Sequence, residues 1–458
     1  MRILYGTDFL LMPFFILIIY FIFKSIKNRY YKNTIIAQYF VPALMIRLFG
    51  AFMSALMYQY YYKYGDTFYY FTGVMDIFHT FLSDPVVALE MCFNKHENLS
   101  PEALRNITYH RLFRDSSSGL VMQLGGLFSP LVLGSYLGVS FIFTIFAFLG
   151  SWLMYRVFVD MYPRLHKSLA FAILFVPSIW FWGVGLMKDS LTMGGLGFLF
   201  WGCYTLFIKR ASPIKAISAI FIGAYMVAFV KVYVILALAP ALIVWIFLMY
   251  KNQIPIPWLR TIATPLFLGV AALGGVIMLQ KIGQYFSHYA LENILNQAAK
   301  TQWWIALNTE KDGGTGYTLG ELDPSIGGMI KMFPKAVNVT LFRPYIWESR
   351  KIIVIPSILE SGITLFLTLR VIWTLGFFKT IKSIFADPVV LFCLIFALIF
   401  AFAVGFSTMN FGALARYKIP CLPFYFAALI ILYHKKPKPN SLPPKKKKKR
   451  SLEPMPSI

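Results

Sequence analysis

Apolar stretches close to the length that crosses a hydrocarbon core of about 30 Å recur from one end of this chain to the other, and no gap between them would hold a soluble domain. A chain built this way has lipid as its main solvent, which the 58% hydrophobic and 14% charged composition over 458 residues supports. It reads as an all-α polytopic membrane protein: one integral domain over residues 1–434 and a disordered tail over 435–458. About eleven spanning helices are expected, near residues 8–23, 34–58, 129–155, 168–187, 190–208, 214–230, 232–250, 261–280, 352–375, 387–406 and 417–433. The first run follows Asp8 rather than a basic stretch and lacks a small-residue cleavage site, so it reads as a retained helix.

Every second connection is basic. Lys24, Lys27, Arg29 and Lys32 form the first such group, followed by Arg156, Arg164 and Lys167, by Lys209, Arg210 and Lys215, by Lys251 and Arg260, and by Lys379 and Lys382. The positive-inside rule puts these in the cytoplasm, the N-terminus outside and the C-terminus inside, as expected in a bacterial inner (plasma) membrane. The tail "HKKPKPNSLPPKKKKKR" falls on the cytoplasmic side, and its Lys and Pro content cannot pack a core. Nine basic residues sit there, so the +24 net charge points to anionic inner-leaflet lipid, or to simple topology anchoring, rather than to nucleic acid.

Two long connections, 59–128 and 281–351, are then assigned to the outer face. The second contains "NTEKDGGTGYTLGELDPSIGG", whose Gly, Asp and Pro content reads as a surface loop. The four cysteines, Cys92, Cys203, Cys393 and Cys421, include no C-x-x-C pair, and three lie in apolar segments, which indicates neither a zinc site nor a disulfide framework. The sequons at Asn98, Asn106 and Asn338 are too short a pattern to carry weight.

The first outer connection carries "YYKYGDTFYYFTG", which sets Asp66 among Tyr61, Tyr62, Tyr64, Tyr69 and Tyr70. Phe68, Phe71, Met75, Phe78 and Leu82 follow at helical spacing, so Asp66 belongs at a helix N-terminus, where its plainest task is capping. The tyrosines suit an interfacial belt or the stacking of sugar rings, for which Tyr64, Tyr69 and Tyr70 are the candidates. Four cations are expected near the same face: Lys188 in "GLMKDS", Lys231 in "AYMVAFVKVYVILALA", Arg343 in "LFRPYIWES" and Arg416 in "ALARYKIP". Lys188 could simply pair with Asp189, and Lys231 could snorkel to headgroups, although an intramembrane charge more often marks a cavity or a partner. Arginine's planar fork suits phosphate oxygens. An outer carboxylate with several cations fits transfer of a sugar from a lipid phosphate: the acid takes the acceptor's proton and the cations stabilise the departing phosphate. Neither G-x-x-x-x-G-K-[ST] nor H-E-x-x-H is present.

"YYKYGDTFYYF" after an early span, "FWGVGLMKDSLTMGGLGFLF" in the middle and "ARYKIPCLPFYFAALIIL" at the last span together resemble the GT-C superfamily of membrane glycosyltransferases, which includes the protein mannosyltransferases and the aminoarabinose transferases of lipid A. The resemblance implies a polyprenyl-phosphate-linked sugar donor, a lipid, glycan or protein acceptor, and chemistry on the outer face. It assigns Asp66 as base or acceptor-positioning acid, Arg416 to the donor phosphate, and Lys188 more loosely to the same anion. The chain departs from the family in placing the first outer loop after the second span and in lacking an Asp-Asp or Glu-Asp pair. Two alternatives stay open: a polysaccharide polymerase with a G-D-x-x-Y-Y-type loop, and a transporter or flippase of lipid-linked saccharides, although no paired broken helices are evident in the sequence. No cofactor is called for. A divalent metal at Asp66, Asp76 and His79 stays open, although the two aspartates lie ten residues apart and should face differently, and His79 reads best as a surface residue.

Overall fold

The computed structural model describes residues 2–251, 316–320, 326–348 and 354–435, with 262 and 269 as isolated positions. The expected span at 261–280, most of the 281–351 connection before its final helix, and the tail beyond 435 lie outside the described residues. Among the described residues the fold is helical throughout, with a single isolated bridge between Gly316 and Asn410. Eight helices are long and apolar enough to cross a membrane, and the chain is an integral, all-α membrane protein. It divides into two compact units, Met1–Val232 and Tyr233–Glu453.

The first unit begins with α1 (Gly6–Tyr30) and α2 (Ala37–Leu56), the latter running on through a π-helical turn to Tyr62. The connection expected as an outer loop is itself mostly helical: α3 (Asp66–Ser83), α4 (Pro85–Phe93), α5 (Pro101–Arg105), α6 (His110–Arg114) and α7 (Ser116–Phe128). Its starts are legible locally. Asp84 accepts from the amides of Val86 and Val87, with Pro85 opening α4, and Asp115 accepts from the Ser118 amide to cap α7.

The unit continues with α8 (Tyr136–Met161), α9 (His166–Ala170), α10 (Pro177–Trp182), α11 (Lys188–Cys203) and the first part of α12 (Pro213–Tyr250). Helices α8 and α11 run in parallel and approach backbone to backbone: a Cβ on Gly197 would lie 1.9 Å from the Gly150 carbonyl oxygen, so no side chain fits there. Asp8 ties the starts of α1 and α8 together, accepting from the Tyr5 amide, the Ser135 hydroxyl and the Leu137 amide. At the opposite end Tyr31, Phe40, Phe148 and Trp152 pack ring against ring, and Asp160 binds both Tyr204 and Lys209. One end of this unit therefore collects Asp8, Asp66, Lys188 and Lys231, and the other collects His166, Lys167 and Lys209.

Residues 168–187 do not form the single span expected. Pro177 has no N–H to offer the carbonyl of Ile173, so the segment breaks into α9, a π-helical turn over Phe171–Phe175 and α10. The freed carbonyls are met by a fully buried arginine on α2: Arg47 donates to Ile173 at 3.2 Å and Leu174 at 3.0 Å, and also to Ala43 of its own helix at 3.1 Å. The expected spans 214–230 and 232–250 are joined as α12, interrupted only where Lys231 leaves helical geometry at φ −147°, ψ 76°.

The second unit contains α12 from Tyr233 onward, α13 (Ile326–Phe342), α14 (Ile355–Leu375), α15 (Phe377–Phe385), α16 (Pro388–Thr408), α17 (Phe411–Tyr417) and α18 (Leu422–His434). Here α16 is central. Trp245 stacks on Phe392 at 4.9 Å and Tyr233 on Phe400 at 5.8 Å, while Thr340 of α13 donates to the Ala401 carbonyl at 2.7 Å. Helix α13 belongs to a stretch expected to be a loop, and it packs closely enough that a Cβ on Gly405 would meet the Ala336 carbonyl at 2.2 Å.

Candidate functional site

The turn that presents Asp66 depends on two positive-φ residues, Lys63 at 61° and Gly65 at 137°. A side chain at Gly65 would also meet the Tyr58 ring at 2.9 Å, so glycine is required on both counts. Gly65 takes the cap position of α3 and Asp66 is its first helical residue, exposed in the first turn. Asp66 is thus not the N-cap, although its charge suits the positive helix end. Helix α3 is held down by Thr67, whose buried hydroxyl meets Tyr136 Oη at 2.8 Å and donates to the Leu186 carbonyl at 3.2 Å.

Lys188 opens α11 beside this turn. Its ammonium donates to Ser117 Oγ at 2.6 Å and to Asp115 Oδ2 at 3.3 Å, and it lies 5.8 Å from the centre of the Tyr70 ring. Asp66 and Lys231 are both within electrostatic reach of it. Burial pushes the Asp115 carboxyl up, but the Ser118 and Ser117 hydroxyls, the Lys188 charge and the Ser118 amide outweigh it and hold the carboxyl down at about 2. Tyr70 is buried beneath Lys188, so its ring is not open to a sugar, whereas Tyr64 and Tyr69 are exposed, Tyr69 meeting Tyr109 edge-on at 5.3 Å.

Lys188 and Asp189 do not pair with each other. Asp189 points into the unit and binds Lys231 at 2.5 Å, with both side chains buried. Lys231 therefore does not snorkel to headgroups. Asp76 is engaged with another segment, accepting from the amide and hydroxyl of Thr108 at 2.8 and 2.7 Å, and burial raises its carboxyl against those bonds and the nearby His79 and His110. His79 is exposed, and among the described residues no group of three or more His, Cys, Asp or Glu side chains could hold a metal ion. All four cysteines are free and buried.

The other expected cations belong to the second unit. Arg343 presents its fork to the Glu348 carboxylate, Nε lying 3.0 Å from Oε2 and Nη2 bonding Oε1, and its guanidinium lies 5.4 Å from the Phe411 ring centre. It borders a cavity of about 350 Å³ that Lys335, Asn338 and Thr318 also line. Arg416 is half-buried on α17, a short helix capped by Asn410, and lies 5.2 Å from the Tyr417 ring centre.

Asp115, Lys418 and Glu360 were not among the residues expected at a site. Asp115 was hidden in a loop rich in ordinary capping residues. Lys418, fully buried, donates to Ser361 Oγ at 3.1 Å and lies 3.7 Å from Glu360 Oε1. Lys418 stands two positions from Arg416, and Glu360 interrupts an apolar run, so the cost of intramembrane charge pointed to both.

Together these features define an integral membrane protein with polar clusters at helix ends. Comparison with known proteins finds no matching family model, no matching curated protein and no matching solved structure.

Proposed function

We propose that this chain is a GT-C-like membrane glycosyltransferase that moves a sugar from a polyprenyl-phosphate carrier to an acceptor hydroxyl on the extracytoplasmic face. The observation that carries the reading is the cluster at one end of the first unit, where partly exposed Lys188 is gathered by Asp115, Ser117 and Tyr70 within electrostatic reach of Asp66. In this reading Asp66 takes the acceptor's proton as its oxygen bonds to the anomeric carbon. The bond from that carbon to the phosphate oxygen breaks, its electron pair leaves with the lipid phosphate, and Lys188 stabilises the added charge. Tyr64 and Tyr69 offer exposed faces for the sugar.

The remaining cations take different weights. Lys231 is neutralised by Asp189 and serves to position Lys188 and α11. The Arg343 fork is occupied by Glu348, so Arg416 is the stronger second-unit candidate for the donor phosphate. The eight spanning helices become eleven crossings when α12 is counted twice across Lys231, the broken α9–α10 segment is counted once, and the apolar run at 261–280 is added. The basic connections then face the cytoplasm.

One observation favours the transporter alternative: the interruption at Pro177 gives this membrane domain a broken helix, a feature of many transporters. A transfer assay on purified protein with a radiolabelled polyprenyl-phosphate sugar separates the two. Formation of labelled acceptor supports the transferase, and movement of the intact lipid-linked sugar between leaflets without transfer supports the transporter. Within that assay Arg416→Ala is expected to weaken use of the donor more than of the acceptor, with Arg416→Lys rescuing poorly because it keeps the charge and loses the fork. Unchanged donor kinetics in both variants would reduce Arg416 to an interfacial anchor.

A further inference from the structure

Helix α15 (Phe377–Phe385) does not cross a membrane. It has nine residues, is strongly amphipathic, and joins α14 to α16, two helices that can span. Gly376, at φ 82°, makes the corner that turns the chain from α14 into it. Placed on a helical projection of 100° per residue, its side chains fall into three sectors. Thr380 is buried, and Ile384 beside it packs against the cluster of Val244, Leu248 and Leu391. The next sector carries Phe377, Ile381, Phe385 and Phe378, all exposed. Beyond it lie Lys382 and Lys379, also exposed.

The exposed aromatic sector continues a surface that already faces hydrocarbon. On the last turns of α14, Phe366, Leu369 and Trp373 are exposed, Trp373 at 90%. A surface of this kind, followed by a ledge of ammonium groups, matches the boundary between acyl chains and headgroups: rings enter the hydrocarbon and lysines reach the phosphates. The same end of the unit is fastened by Asp387, which caps α16 through the amides of Val389 and Val390 and holds Lys435 at 2.7 Å. Lys435 begins the run of basic residues at the C-terminus of the sequence.

We propose that α15 is an interfacial helix whose Lys379 and Lys382 ledge binds the phosphate headgroups of anionic phospholipid, with Phe377, Phe378 and Phe385 seated in the acyl region below. The inference does not depend on the transferase reading. Lysines at such a surface each contribute about 1 kcal/mol toward anionic lipid, so removing two should weaken the preference on the order of 10-fold or more.

The test uses the full chain reconstituted in nanodiscs of phosphatidylcholine alone or of equal parts phosphatidylcholine and phosphatidylglycerol, with protein-bound lipid counted by native mass spectrometry. In a background with Lys445 to Lys449 changed to Gln, which removes most of the tail's own attraction, Lys379→Gln with Lys382→Gln is expected to remove most of the remaining phosphatidylglycerol enrichment. Phe378→Ser is expected to reduce the bound lipid of both kinds. Excess inorganic phosphate should not displace the lipid, because a free anion lacks the acyl anchor, and displacement would show a soluble-anion site instead. An unchanged phosphatidylglycerol enrichment in the Lys379→Gln, Lys382→Gln protein, with normal folding by gel filtration, would overturn the proposal.

Discussion

Two ion pairs begin at consecutive residues and end in different environments. Lys188 pairs with Asp115 where 24% and 51% of the two side chains remain exposed, while Asp189 pairs with Lys231 where only 3% and 8% do. Successive residues on a helix point about 100° apart, so one faces the polar end of the first unit and the other faces its interior. The exposed pair is screened, contributes little to stability and leaves its cation within reach of a ligand. The buried pair cannot be reached, and each partner is tolerable only because the other is present. A functional reading therefore attaches to Lys188 and a structural one to Lys231, although in the sequence Lys231 is the more conspicuous charge.

The largest effect should come from splitting the buried pair. Lys231→Ala strands the Asp189 carboxylate in a low-dielectric interior and is expected to cost about 3–5 kcal/mol, seen as loss of monodisperse protein on fluorescence-detected gel filtration and a lower thermal midpoint in detergent. Adding Asp189→Leu should recover most of the loss. A Lys231→Ala protein as stable as the wild type would end the distinction between the two pairs.

Next in size is Asp66→Asn. Gly65 occupies the cap position, so the change removes a base without removing a cap, and thermal stability should hold. If Asp66 accepts the acceptor's proton, turnover in the transfer assay falls by roughly 10²- to 10⁴-fold with donor binding retained. Near-normal turnover would take Asp66 out of the chemistry and move the transporter reading ahead.

A subtler difference lies in acid. The folded Asp115 carboxyl is held at about 2, below the ordinary value near 3.9 that the unfolded chain would show. Its favourable contacts are thus fully present above about pH 4 and are lost as the pH falls toward 2. Difference infrared spectra of wild type against Asp115→Asn should show the carboxylate band persisting at pH 3. Loss of that band near pH 4 would mean that the Ser117, Ser118 and Lys188 bonds do not hold in solution.

The smallest effect is expected from truncation after His434: in the proposed topology the basic tail is cytoplasmic and the chemistry is extracytoplasmic. Transfer per correctly inserted molecule should be unchanged, although the membrane level should fall as the topology signal weakens. Lost activity per molecule would tie the tail to the reaction.

Fold class was legible because a spanning helix is a local property: twenty or so apolar residues suffice, and seven of the expected spans recur within a few residues as long helices, from Gly6–Tyr30 to Phe411–His434. The helix start at Asp66 was legible for a similar reason, since Gly65 and the following apolar spacing lie side by side. Partner choice was not. "KDS" invites a local pair between Lys188 and Asp189, and nothing nearby reveals that their partners stand 73 and 42 positions away. The pairing of Lys418 with Glu360 is equally hidden, because Glu360 lies on α14 and Lys418 follows α17, and nothing local to either residue reveals the other.

By itself, the sequence determined that this is an all-α membrane protein, which connections are basic and that a helix starts at Asp66, because hydrophobicity, charge and turn chemistry act over a few residues. Only the tertiary structure decided that the long first connection is a set of packed helices, that Pro177 breaks a span whose carbonyls Arg47 then satisfies, and that the polar side chains sort into an accessible cluster at Lys188 and sealed pairs at Lys231 and Lys418. Burial and long-range pairing set the cost of a charge in lipid, and both depend on residues that meet only when the helices pack.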